Sequence, residues 1–316
     1  MSVSNRSAGR DVQVFDANDS ATALGGLILS NGITNANFYS MIEVFLFFES
    51  NYVLRHEDAT DALRDVPKDE QALQPGNYYI VTDGRLLNCH EWLVPQRPDD
   101  QLLTRSIGSI TANNEDWLVR TVSVASGTRV TAFRDAVRDR DRRCAITGKR
   151  AHRADYNIWR GFEAAHIFPL AYEAHWKEQD YGRWISIPPA TESAGFINSV
   201  QNGMLLRADI HSLFDNYDVS INPDDRYKIV CFNGDGEGMA GRHLDQQFLD
   251  DPRRPVDQLF HWHFRQAVLA NMRGAGEPIF ESDFPPGSDM IGEILSGPKA
   301  GERLEFEFFS RLAGVG

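Results

Sequence analysis

The chain is short of uninterrupted apolar sequence. Its longest such run, Val44 to Phe48, spans five residues, against the ~20 that a bilayer-spanning helix needs. Residues 1–11 (MSVSNRSAGRD) also lack the apolar stretch of a secretory signal, so an intracellular place, nucleus or cytoplasm, is expected. Cysteine is scarce. Cys89, Cys144 and Cys231 are odd in number, far apart and without a C-x-x-C pair, which argues against a disulfide framework or a thiolate zinc ribbon. Basic charge is in deficit too: 32 Lys and Arg face 45 Asp and Glu, for a net −13. That balance argues against coating nucleic acid by bulk charge, but it leaves room for a local basic site.

What is present reads as globular. Hydrophobic residues make up 42% and charged residues 24%, which excludes a mostly disordered chain. At ~150 residues per domain, 316 residues suggest two domains.

The first 95 residues read as a small α+β module. Val12 to Phe15 and Ala23 to Leu29 are expected strands, the second closed by Asn31-Gly32, a turn dipeptide. From Thr34 to Phe48 the period becomes helical, with Phe38, Met41, Ile42 and Phe45 on one face. Two more strands are expected at Asn51 to Arg55 and Tyr78 to Thr82. The order strand, strand, helix, strand, strand suggests a β-grasp-like module over 1–95. The polar stretch from Pro95 to Asn114 suggests a boundary, so 96–125 is expected to be a linker and 126–316 a second domain.

A helix is expected from Thr128, with Phe133 and Val137 on its apolar face. The span 134–160 carries nine basic side chains against four acidic ones, +5 inside a chain of −13. Some of these form helix-spaced pairs that would merely solvate a face. Arg138, Arg142, Lys149 and Arg153 are the candidates for phosphate contacts.

The densest motifs follow. Cys144-Ala145-Ile146-Thr147-Gly148 makes a turn, and Phe162 to Phe168 (FEAAHIF) makes a short strand stopped by Pro169. Asn202-Gly203-Met204-Leu205-Leu206 comes next, and Asp209 is an expected N-cap for a helix through His211 and Asp215. Strands are expected at Val219 to Ile221 and Tyr227 to Phe232. His211 and Asp215, four apart on a helix, share one face and suit a common metal ion. A neutral imidazole such as that of His166 can take a proton at cellular pH.

In this order the motifs resemble the HNH (ββα-metal) endonuclease family, in its fungal-type members. The resemblance covers about Thr128 to Phe232 (core 128–232), with Trp262 to Val268 also familiar from proteins of that architecture. It implies a ββα-metal domain with a C-terminal helical extension and hydrolysis of DNA phosphodiesters. His166, Asn202 and His211 would be the name-giving residues. His166 would be the base, Asn202 would orient it or tie the loop to the helix, and His211 with Asp215 would bind the ion. Many members carry Asp or His just before the base His, whereas this chain has Ala165. Glu163 projects to the strand face opposite His166. A two-ligand, mostly water-coordinated ion suits Mg²⁺ or Mn²⁺ better than a closed Zn²⁺ site, with Zn²⁺ and Ni²⁺ as further candidates. The alternative is a non-cleaving HNH-fold scaffold that binds DNA or a protein partner. No small-molecule cofactor is expected.

Three features are set aside. His261 and His263 lie two apart on an expected helix and diverge. Gly234 to Gly238 carries acidic residues that would repel phosphate. The insertion with Trp176 and Trp184 suits packing over the core better than base stacking.

Overall fold

The structure is a computed structural model describing residues 6–57, 60, 62–82, 110–115, 117–118, 128–189, 195–276, 290–295, 300, 301 and 304. Its class is α+β. The chain divides into two compact units, one of 5–116 with 268–277 and one centred on 117–267. This division differs from a cut at 95 and 125, because the first unit recruits ten residues from late in the chain. Cys89 and most of the segment expected to be a linker lie outside the described residues.

In the first unit, β1 (Val12–Asp16) and β2 (Asp19–Leu27) form an antiparallel hairpin with register shifts beyond Val14. Helix α1 (Asn35–Phe45) opens with a reciprocal cap: Asn37 N–H donates to Thr34 Oγ1, and Thr34 N–H donates to Asn37 Oδ1. It buries Phe38, Met41, Ile42 and Phe45, the face read from the spacing. The helix stops at Phe45 rather than Phe48. The chain turns extended at Leu46 and forms β3 (Leu46–Phe48). Then come β4 (Tyr52–Glu57), β5 (Leu63–Val66), β6 (Gly76–Thr82) and β7 (Ile110–Ala112), the last paired with β3. The main sheet runs β2-β1-β6-β4-β5, with β1 parallel to β6 and the other pairs antiparallel.

The second unit holds α2 (Thr128–Asp141), β8 (Phe162–His166), α3 (Glu173–Glu178), β9 (Gly203–Arg207), α4 (Ala208–Asp215), β10 (Val219–Asn222), β11 (Lys228–Cys231), α5 (Gln246–Asp250), most of α6 (Asp257–Met272) and α7 (Met290–Leu295). Strands β8 and β9 pair antiparallel, with Ala164 opposite Leu205, Ala165 opposite Met204 and His166 opposite Gly203. Side-chain alternation gives the ribbon two working faces. Ala164 and Leu205 pack with Phe133 and Val137 of α2, while Ala165, Met204 and Leu206 pack with Ile210 and Phe214 of α4. Gly203 is required here, since a Cβ at that position would overlap the Phe133 ring.

The insertion after β8 is core. Trp176 is fully buried, and Phe168 lies among Trp176, Tyr181 and Trp262. Helix α4 begins one residue before Asp209, which pairs with Arg207 instead of capping. The +5 segment also hides a structural pair. Arg140 and Asp141 are both buried, and Arg140 further donates to the carbonyls of Val200, Gly203 and Arg253. Asp141 accepts from Leu205 N–H at 2.7 Å. Burial pushes its carboxyl up, and the Arg140 and Leu205 hydrogen bonds oppose that.

Candidate active site

His166 ends β8 on the face turned toward α2. Its ring stacks on Phe133 with centroids 3.8 Å apart and planes 11° off parallel. Its Nε2–H donates to Asn198 Oδ1 at 3.2 Å, which leaves Nδ1 as the nitrogen carrying the lone pair. Asn198 is buried, so the imidazole is fixed both by a ring face and by a polar anchor.

Asn202 does different work from orienting that ring. It is fully buried and its side chain ties two backbone segments together. Phe168 N–H donates to Oδ1 at 2.8 Å, while Nδ2 donates to the carbonyls of Phe168 and Ile197 at 3.1 and 2.9 Å. These contacts join the segment after β8 to the loop before β9; they reach neither the His166 ring nor α4. Asn198, four residues earlier in the same turn-rich stretch, contacts the imidazole. The Asn202-Gly203 motif drew attention to Asn202, whereas nothing in the local sequence marked Asn198.

His211 sits in the middle of α4, half-buried. Its Nδ1 lies 2.6 Å from Glu163 Oε2 and its Nε2 lies 3.2 Å from Asp215 Oδ2. Glu163 therefore reaches the α4 face of β8 and His166 the α2 face, as residues three apart on a strand should. The Glu163 carboxyl is held below its ordinary range by the His211 hydrogen bond, against the effect of burial.

The donor chemistry of His211 and Asp215 fits a hard divalent ion. Two ligands about 2.1 Å from one ion, at octahedral or tetrahedral angles, stand roughly 3.0–3.4 Å apart, and the Nε2–Oδ2 separation of 3.2 Å falls in that interval. Both side chains are partly exposed, leaving room for water at other positions. Among the described residues no group of three or more His, Cys, Asp or Glu is disposed to hold a metal. Glu163 instead hydrogen-bonds the far nitrogen of the ring.

The four basic candidates differ in what they can offer. Arg138 lies over the Trp159 ring, 5.1 Å from its centroid, and Arg142 is ion-paired with Asp155. Lys149 and Arg153 are exposed on the turns that follow α2. The His261–His263 pair and the Gly234–Gly238 loop have structural roles. His263 is buried, accepting from Ser220 Oγ–H at 2.8 Å and donating to the Phe214 carbonyl, while His261 lies on the exposed side beside Asp224. Asp235 fills its own glycine loop by accepting from Met239 and Ala240 N–H.

Comparison with known families gives two matches. Residues 144–222 match the family model described as HNH endonuclease, a span that begins at Cys144 and takes in His166, Asn202, His211 and Asp215. Residues 9–87 match a family described as a domain of unknown function (DUF8573). No curated protein and no solved structure matches the chain.

Proposed function

We propose that this protein is a metal-dependent endonuclease that hydrolyses DNA phosphodiester bonds, with β8, β9 and α4 as a ββα-metal unit. The observation that carries the reading is the His211 Nε2–Asp215 Oδ2 pair at 3.2 Å on one helical turn. It lies across a two-stranded ribbon from the His166 imidazole, which Asn198 and Phe133 hold in place. His166 Nδ1 takes the proton from the attacking water, since Nε2 holds its own proton against Asn198. A divalent ion such as Mg²⁺ or Mn²⁺ would supply neutralisation of charge on the leaving oxygen. Lys149 and Arg153 hold substrate phosphates, with Arg138 and Arg142 as secondary contacts. Asn202 keeps the loop between β8 and β9 in place.

For the N-terminal unit we propose a β-grasp-like module. The support is a sheet in which β1 lies parallel beside β6, with β2 outside it, and α1 follows the β1–β2 hairpin in the chain.

A plasmid-nicking assay with metal replacement tests the main reading. Nicking that requires Mg²⁺ or Mn²⁺ and disappears in His166→Ala supports it. DNA binding without cleavage in Mg²⁺, Mn²⁺, Zn²⁺ or Ni²⁺ supports instead the scaffold reading, which Ala165 favours: it is fully buried and brings no ligand to the position before the base.

A further inference from the structure

The nuclease reading assigns no task to Glu163, yet its Oε2 stands 2.6 Å from His211 Nδ1. We propose that Glu163 is a positioning residue that selects the tautomer of His211, placing the proton on Nδ1 so that Nε2 keeps its lone pair for an ion shared with Asp215. This rests on the metal-dependent reading above.

A neutral imidazole carries one proton and has two carboxylates competing for it here. Asp215, one helical turn further along α4, would by itself draw the proton to Nε2 and form an ordinary i,i+4 hydrogen bond. An N–H cannot ligate a cation, so that arrangement would close the site. Glu163 Oε2 approaches Nδ1 to 2.6 Å, whereas Asp215 Oδ2 stands 3.2 Å from Nε2. Either bond would be charge-assisted, and the shorter one, to Glu163, prevails. Carboxylate, imidazole and ligating nitrogen then form one line, the arrangement that fixes ring orientation in metal-binding histidines generally.

The placement follows from the ribbon. Glu163 pairs with Leu206 on β9, and β9 runs directly into α4, so strand pairing and the direct β9–α4 connection hold the carboxylate over the helix. The Glu163 side chain is 54% exposed, so its replacement leaves the core intact.

The test uses the full chain labelled with ¹⁵N-histidine, metal-free at about pH 8, with long-range nitrogen–proton correlation reading the His211 tautomer. A calorimetric Mn²⁺ titration accompanies it. Wild type is expected as the Nδ1–H tautomer. Glu163→Ala should shift the proton to Nε2 and weaken Mn²⁺ binding roughly 10–100-fold with unchanged thermal melting. Glu163→Gln retains an accepting carbonyl oxygen and should keep the tautomer and most of the affinity. An Nε2–H tautomer in wild type overturns the proposal, as does a Glu163→Ala variant that leaves tautomer or Mn²⁺ affinity unchanged. A wild type that binds no Mn²⁺ overturns the metal reading instead, and the tautomer comparison still decides the part played by Glu163.

Discussion

His166 and Phe133 stand face to face, ring centroids 3.8 Å apart and 11° from parallel. The stack joins the end of a two-residue-period strand to a helix laid across it. Together with the hydrogen bond to Asn198 it removes the rotational freedom of the imidazole, a requirement for a base that must meet a proton along one direction.

The base is testable in two steps. His166→Ala should lower the nicking rate roughly 10²–10⁴-fold with Mn²⁺ affinity unchanged. Asn198→Ala should lower it less, because Phe133 still holds the ring. Equal nicking by wild type and His166→Ala would remove His166 from the mechanism.

The ligand pair should behave differently from the base. His211→Ala and Asp215→Asn should both weaken Mn²⁺ binding, since an amide coordinates a hard cation less well than a carboxylate. Raising Mn²⁺ should then restore part of the rate in these variants and none in His166→Ala. Calorimetry beside plasmid cleavage separates the patterns.

Asn202 is expected to act on stability. Its replacement by Ala leaves Phe168 N–H and two carbonyls without their buried partner. Each such group costs about 1–3 kcal/mol, so a loss of at least about 2 kcal/mol in denaturant unfolding is expected. A variant as stable as wild type would show that water replaces the amide.

The basic segment should divide by partner. Lys149→Ala with Arg153→Ala should flatten the salt dependence of DNA binding by roughly one unit of slope per lost contact. Arg142→Ala should do less, because that guanidinium already spends its charge on Asp155. Binding isotherms at several salt concentrations read the slopes directly; identical slopes would make the segment a solvated face.

Burial pushes the Cys231 thiol up to about 12, with Asp235 and Asp218 adding to the effect. A raised pKa keeps the thiol neutral throughout the neutral range, and thiols react as thiolates. Iodoacetamide at about pH 8 should therefore leave Cys231 unmodified in the folded protein and label it after denaturation. Labelling of the native state, read by peptide mass spectrometry, would contradict this burial.

The sequence alone determined what depends on local period and composition. The α1 face follows from spacing, the strand holding His166 from a short run ended by Pro169, and the His211–Asp215 face from a separation of four. These are properties of neighbouring residues, and they survive without knowledge of the rest of the chain. Tertiary structure decided everything set by distant partners. Leu46 to Phe48 reads as more helix until β7 offers it a strand to pair with. Asn198 and Asn202 are the same residue type in one loop, and the folded positions of the His166 ring and of the Phe168 and Ile197 backbone assign them different tasks. Arg140 counts as one more surface cation until the carbonyls of Val200, Gly203 and Arg253 enclose it. Glu163 sits on the strand face away from His166, as alternation requires. That it meets His211 there was decided by the docking of α4 on β8, because a contact across 48 residues leaves no periodic trace in the chain.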